Sequence, residues 1–226
     1  MFKNKKLILL IGIILIFAPG VVIGSAETNE SRLYCVLQSP GILEELRIEI
    51  DLTDKQYEMI KDKIKSTLGI TELKEGIANV MNPYQKVLFN QWINEISILD
   101  DIVYGRRKFS GETAEQVIFQ LVNFDSFFGL TLSEMKKQEI KLSDKQVVRL
   151  KEILKDYKQK MLGLRLKLYK IEVLLNSSQE VPDEKIIKIR KSLLNELMQT
   201  KEKMVNAISN LLTDKQKEKF NILKKE

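Results

Sequence analysis

Histidine is absent from this 226-residue chain, and cysteine occurs once, at Cys35. Imidazole bases, zinc fingers, Cys/His metal centres and intrachain disulfide frameworks are thereby excluded. Carboxylates are plentiful, but the adjacent pairs Glu44-Glu45 and Asp100-Asp101 point in different directions on a helix and make no acid/base dyad. There is no glycine-rich phosphate loop and no nucleophile elbow. The residues therefore predict no catalytic centre, no metal ligands and no cofactor. What remains is the chemistry of binding.

The strongest binding pattern lies between residues 143 and 176. One face carries Val147, Leu150, Leu154, Tyr157, Met161, Leu164, Leu168, Ile171 and Leu175, alternately three and four residues apart. Such a seam predicts a long helix packed on a partner. Ile186, Ile189, Leu193, Leu197, Met204, Ile208 and Leu211 form the facing stripe of a return helix. A second stripe, Leu162, Leu166, Tyr169 and Val173, lies about 120° around the same helix at 3.6 residues per turn. It continues toward the N-terminus as Lys158, Lys155 and Lys151, with Arg165 beside it. Three occupants fit this basic and apolar face: the N-terminal half of the chain, a second copy, or a bound client.

The elements that position these faces are marked by a repeated pentapeptide. It reads Leu52-Thr53-Asp54-Lys55-Gln56, Leu142-Ser143-Asp144-Lys145-Gln146 and Leu212-Thr213-Asp214-Lys215-Gln216, with a weaker copy at Met81-Asn82-Pro83-Tyr84-Gln85. The second residue is an N-cap whose oxygen takes an orphan amide. Gln at N3 reaches back to the cap's own N–H, and the apolar residue before the cap serves as a staple. Pro40 after Ser39, Pro83 and Pro182 mark further starts. The predicted helices are 40–50, 53–68, 71–81, 83–103, 112–128, 132–140, 143–176, 182–211 and 213–223, with Gly69, Gly105 and Gly129 at breaks. The expected fold is all-α, built of antiparallel helical hairpins. The arms read from 53 to 81 are each shorter by about 18 residues than those from 143 to 212, about five helical turns. A tandem duplication with a shortened N-terminal copy fits that difference.

On these motifs the chain resembles the Spy/CpxP family of periplasmic stress proteins, named for its LTxxQ pattern, most closely over 133–226. The resemblance implies an all-α hairpin that dimerises into a curved cradle. It also implies one of three roles: ATP-independent chaperone, restraint on an envelope-stress sensor kinase, or metal sensor. The metal-responsive role is disfavoured because its ligands in the family are histidines.

The first 26 residues hold Lys3, Lys5 and Lys6, no acidic residue, an apolar run from Leu7 to Ile23, and small residues at Gly24 and Ala26. They read as a signal peptide cut after Ala26, an uncleaved anchor being the alternative. Residues 27–39 are expected to be a flexible segment, 40–130 an N-terminal helical region and 131–226 the hairpin domain. In an exported chain Cys35 is either an intermolecular disulfide partner or an idle thiol. Residues 27–130 carry 11 basic and 17 acidic side chains, net −6, against 23 and 14, net +9, over 131–226. Opposite charge predicts attraction between the halves, within a chain or across a dimer. With export and no aromatic stacking pattern, nucleic acid is not an expected partner. The sequence thus points to a periplasmic, non-enzymatic homodimer that binds unfolded or misfolded envelope proteins, or else docks on a membrane sensor kinase.

Overall fold

A computed structural model describes residues 36–66, 70–105, 113–177 and 183–223. The targeting segment and Cys35 lie outside them. The regular structure of the described residues is all-helical: α1 (Pro40–Ile50), α2 (Asp54–Ser66), α3 (Ile70–Ala78), α4 (Pro83–Val103), α5 (Ala114–Leu121), α6 (Phe124–Lys137), α7 (Asp144–Ser177), α8 (Glu184–Leu211) and α9 (Asp214–Leu223).

The long α7 forms an antiparallel hairpin with α8, its most extensive partner. Along the seam Leu150, Leu154, Met161 and Leu168 of α7 are buried, as are Leu193, Leu197 and Ile208 of α8. A helix that is apolar on two stripes has to be covered on two sides, and α7 also meets α1, α4, α5 and α6. Helix α1 packs against both arms of the hairpin and against α4, whose Phe89, Trp92, Ile96 and Leu99 are fully buried. The buried apolar side chains form one continuous cluster from Val36 to Phe220.

The capping pattern has the expected geometry, with an addition. In each LTxxQ copy the cap and the glutamine exchange bonds: Thr53 N–H donates to Gln56 Oε1 at 3.0 Å, Ser143 N–H to Gln146 at 2.9 Å and Thr213 N–H to Gln216 at 2.9 Å. Gln56, Gln146 and Gln216 N–H donate back to the cap hydroxyls. Leu52 and Leu212 are buried and Leu142 half-buried, as staple residues should be. The glutamine amide groups also pair with one another. Gln146 Nε2 donates to Gln216 Oε1 at 2.9 Å and to the Leu211 carbonyl at 2.9 Å, while Gln216 Nε2 donates to the Lys141 carbonyl at 2.5 Å. Gln56 and Gln85 repeat this bond for bond: Gln56 Nε2 reaches Gln85 Oε1 at 2.8 Å and the Val80 carbonyl at 2.9 Å, and Gln85 Nε2 reaches the Asp51 carbonyl at 3.1 Å. In all four cases the accepting carbonyl lies two residues before the partner's cap. Two clasps of one design close the base of α2–α3 and the base of α7–α8.

Three expectations are corrected. The break placed at Gly129 lies instead at Val122-Asn123, where the Asn123 side chain accepts from Ser126 N–H and caps α6; Gly129 is inside that helix. The boundary drawn between 130 and 131 therefore falls within α6. Val36, Leu37 and Ser39 are buried, so the segment expected to be flexible is packed from residue 36 onward. Ser39 stands at the N-cap of α1 with Pro40 at N1, as expected; its side chain makes no cap bond, and its hydroxyl donates to the buried Glu172 carboxylate of α7. A further capping box, Thr113 with Gln116, opens α5.

Candidate functional site

The second stripe of α7, expected as a client or dimer surface, is mostly interior. Leu162, Leu166 and Tyr169 are at most 1 % exposed, Arg165 is fully buried, and Lys158 is 3 % exposed. Val173 is half-buried. The N-terminal half covers this face, and the reason is legible in α1. Its sequence, PGILEELRIEI, carries Ile42, Leu43, Leu46, Ile48 and Ile50, all buried, and Glu45 and Glu49 at i,i+4 go in with them. Carboxylates carried into a core need cations, and α7 supplies them.

The resulting cluster spans three helices. Arg165 Nε donates to Glu45 Oε1 of α1 at 2.7 Å, Nη1 pairs with Glu95 of α4, and Nη2 lies 3.2 Å from Glu49 Oε2. Lys158 Nζ sits 2.7 Å from Glu95 Oε1 and 3.1 Å from Glu49 Oε1. Trp92 Nε1–H donates to Glu45 and Tyr157 O–H to Glu49, the latter at 2.9 Å. Below it Tyr169 O–H donates to Asp100 at 2.7 Å. At its edge Lys201 of α8 caps the C-terminal end of α1, reaching the Ile48 and Glu49 carbonyls and Asp51.

Three carboxylates face two fully buried cations, and the electrostatics divide them. Burial pushes Glu45 up to about 7 despite Arg165 beside it, with Glu49 adding to the rise. Burial acts on Glu49 too, but Lys158, Arg165 and Lys201 outweigh it and hold that carboxyl well below the usual range. Burial and the nearby Glu49 keep the Tyr157 phenol protonated, its pKa raised well above the ordinary value. The charged groups here are paired with one another, with Arg165 Nη2 near Glu49 but making no hydrogen bond, so the cluster is a fastening between halves and offers no open site.

Lys151 and Lys155 remain exposed but are placed over aromatic rings. Lys151 pairs with Asp125 at 3.0 Å and lies over Phe128, and Lys155 lies over Phe119. The N-terminal end of the expected basic face is thus engaged with α5 and α6.

The open surface lies on the other side of the hairpin. A groove of about 1050 Å³ runs between α7 and α8, from Arg149 and Ala207 at one end to Lys167 and Ser192 at the other. Ile153, Leu164 and Met204 line it, and Lys160, Lys167 and Lys203 stand exposed along it. Sequence reasoning passed over this face because its apolar residues belong to the main seam and its polar ones look like a solvated surface. Among the described residues no group of three or more Cys, Asp or Glu is disposed to hold a metal, and no helix is long and apolar enough to cross a membrane.

No protein-family model, curated protein or solved structure matches the chain.

Proposed function

We propose that this protein is an exported, ATP-independent chaperone that holds unfolded or misfolded envelope proteins, in the manner implied by its resemblance to the Spy/CpxP family. The observation that carries the reading is the unequal use of the hairpin's two broad faces. One is sealed by the chain's own N-terminal half. The other is left as an open groove, with apolar side chains within reach of exposed lysines. Shallow apolar contact and long-range attraction by lysines suit weak, reversible capture of a non-native chain.

The test is suppression of aggregation of a chemically denatured client by residues 27–226 in the absence of nucleotide. Protection of unrelated clients at near-stoichiometric ratio is expected. A dedicated regulator of one sensor kinase would leave generic clients unprotected, and that result would replace the chaperone reading with the regulatory one.

A further inference from the structure

We infer that the groove between α7 and α8 is a binding site for an extended, acidic polypeptide segment of about eight residues, taken up in a non-helical conformation. The inference rests on the chaperone reading for its biological sense, but its physical grounds are separate.

Charge is the first. Four cations line the groove, Arg149, Lys160, Lys167 and Lys203, against two carboxylates, Asp156 and Glu196. Arg149 already pairs with Glu152 at 2.6 Å, but no carboxylate of the described residues pairs with Lys160, Lys167 or Lys203. On the opposite face of the same helix every buried cation is matched. An occupant bearing carboxylates would supply what the groove lacks.

The second ground separates an extended segment from a helix. A helix satisfies its own backbone, whereas an extended chain presents unpaired N–H and C=O groups that need partners. Gln159, Asn195 and Gln199 line the groove with amides that both donate and accept, and Ser192 adds a hydroxyl. None of these side chains is committed to a hydrogen bond elsewhere among the described residues. The groove runs about 27 Å from Arg149 to Lys167 at 1.5 Å per residue, the length of about eight extended residues at 3.3 Å each.

The third is Gly163. It sits in the middle of a 34-residue helix, where glycine weakens the helix relative to alanine, and its backbone is not in the left-handed region. No turn or cap requires it. It lines the groove, and glycine adds no side chain to the wall of α7 midway along.

The experiment measures anisotropy of labelled peptides of about ten residues on residues 27–226: alternating Glu and Leu with a central proline, the same peptide with Lys for Glu, and a hydrocarbon-stapled helical version of the acidic one. The acidic extended peptide should bind, more weakly at high salt, and the basic one should not. Gly163→Leu should abolish binding without lowering the melting temperature. The exposed double change Lys160→Glu/Lys167→Glu should weaken binding about tenfold or more; it decides the matter if Gly163→Leu proves poorly folded. Equal binding of the basic peptide, tighter binding of the helical one, or full binding by the lysine variant would each overturn the inference. Aggregation suppression on the same samples keeps the two readings apart. Protection surviving in peptide-deaf variants removes the groove and leaves the chaperone. Peptide binding without protection by the unaltered protein does the reverse.

Discussion

Glu45 is the residue on which the interior is most sensitive to pH. Its folded-state pKa, raised by burial to about 7 from 4.5, means the folded protein binds a proton that the unfolded chain has released between those values. The stability linked to Glu45 is therefore full below about pH 4.5 and is lost as pH rises through about 7. Glu49 has the opposite sign: its lowered pKa gives stability that is present above the ordinary carboxylate range and lost as pH falls below it. The two limbs predict a stability maximum in weak acid, near pH 5. Urea midpoints should fall between pH 5 and 8, and Glu45→Gln should flatten that limb. A midpoint that instead rises steadily to pH 8 would show the Glu45 carboxyl to be unshifted.

Arg165 is the other half of the same argument. Removing one member of a buried charge cluster leaves its partners uncompensated, which typically costs about 3–5 kcal/mol. Arg165→Ala should destabilise the chain on that scale in equilibrium urea denaturation. Tyr169→Ser and Leu166→Ser should cost several kcal/mol as well, since both are core positions. Gly41 gives a smaller-scale example of the same close fit. A methyl group there would overlap the Glu172 carboxylate that Ser39 holds, so Gly41→Ala must displace a buried charge.

At the level of elements, the clasps make a prediction that ordinary caps do not. Ser143→Ala or Thr213→Ala removes one cap bond and should cost about 0.5–2 kcal/mol. Gln146 and Gln216 each tie two helix starts together, so their effects should couple. In a double-mutant cycle Gln146→Ala and Gln216→Ala should be non-additive by about 0.5 kcal/mol or more. Additive costs would mean that the amide pair contributes nothing beyond two separate boxes. The starts of α1, α2, α4, α7 and α9 were legible in the sequence, because Pro at N1 and cap-plus-glutamine spacing are local signals. The break before α6 was not: Asn123 lacks a glutamine three residues on, and Gly129 drew attention to the wrong place. The partner of the second stripe was half legible. Glu45 and Glu49 stand one turn apart among the apolar residues of α1, and Lys158 and Arg165 stand two turns apart beside an apolar stripe. Only the tertiary arrangement shows that these four meet. The groove was not legible, because its value depends on which face of the hairpin is left uncovered.

For the whole molecule, a shared core and a shared charge cluster predict one cooperative unit. Trp92 is the single tryptophan, buried on Glu45 between the halves, so its fluorescence reports the junction while circular dichroism reports the helices. The two urea transitions should coincide. Loss of the tryptophan signal ahead of helicity would show the N-terminal half detaching from a surviving hairpin. Of the three occupants open to the second stripe of α7, the chain's own N-terminal half takes the place, so a homodimer, where it forms, has to use another surface.

The two clasps also bear on how such proteins are to be recognised. One is spelled Leu-Thr-Asp-Lys-Gln with Met-Asn-Pro-Tyr-Gln, the other Leu-Ser-Asp-Lys-Gln with Leu-Thr-Asp-Lys-Gln. Leucine gives way to methionine, and threonine to serine or asparagine, yet each amide finds the same carbonyl two residues before the opposite start. The invariant is a bonding diagram, and the letters are free wherever they draw the same diagram. A distant relation written with other caps and staples would escape a search for the pentapeptide. It would be found by asking for two short oxygen-bearing caps, each with glutamine three residues later, at the two ends of one antiparallel pair.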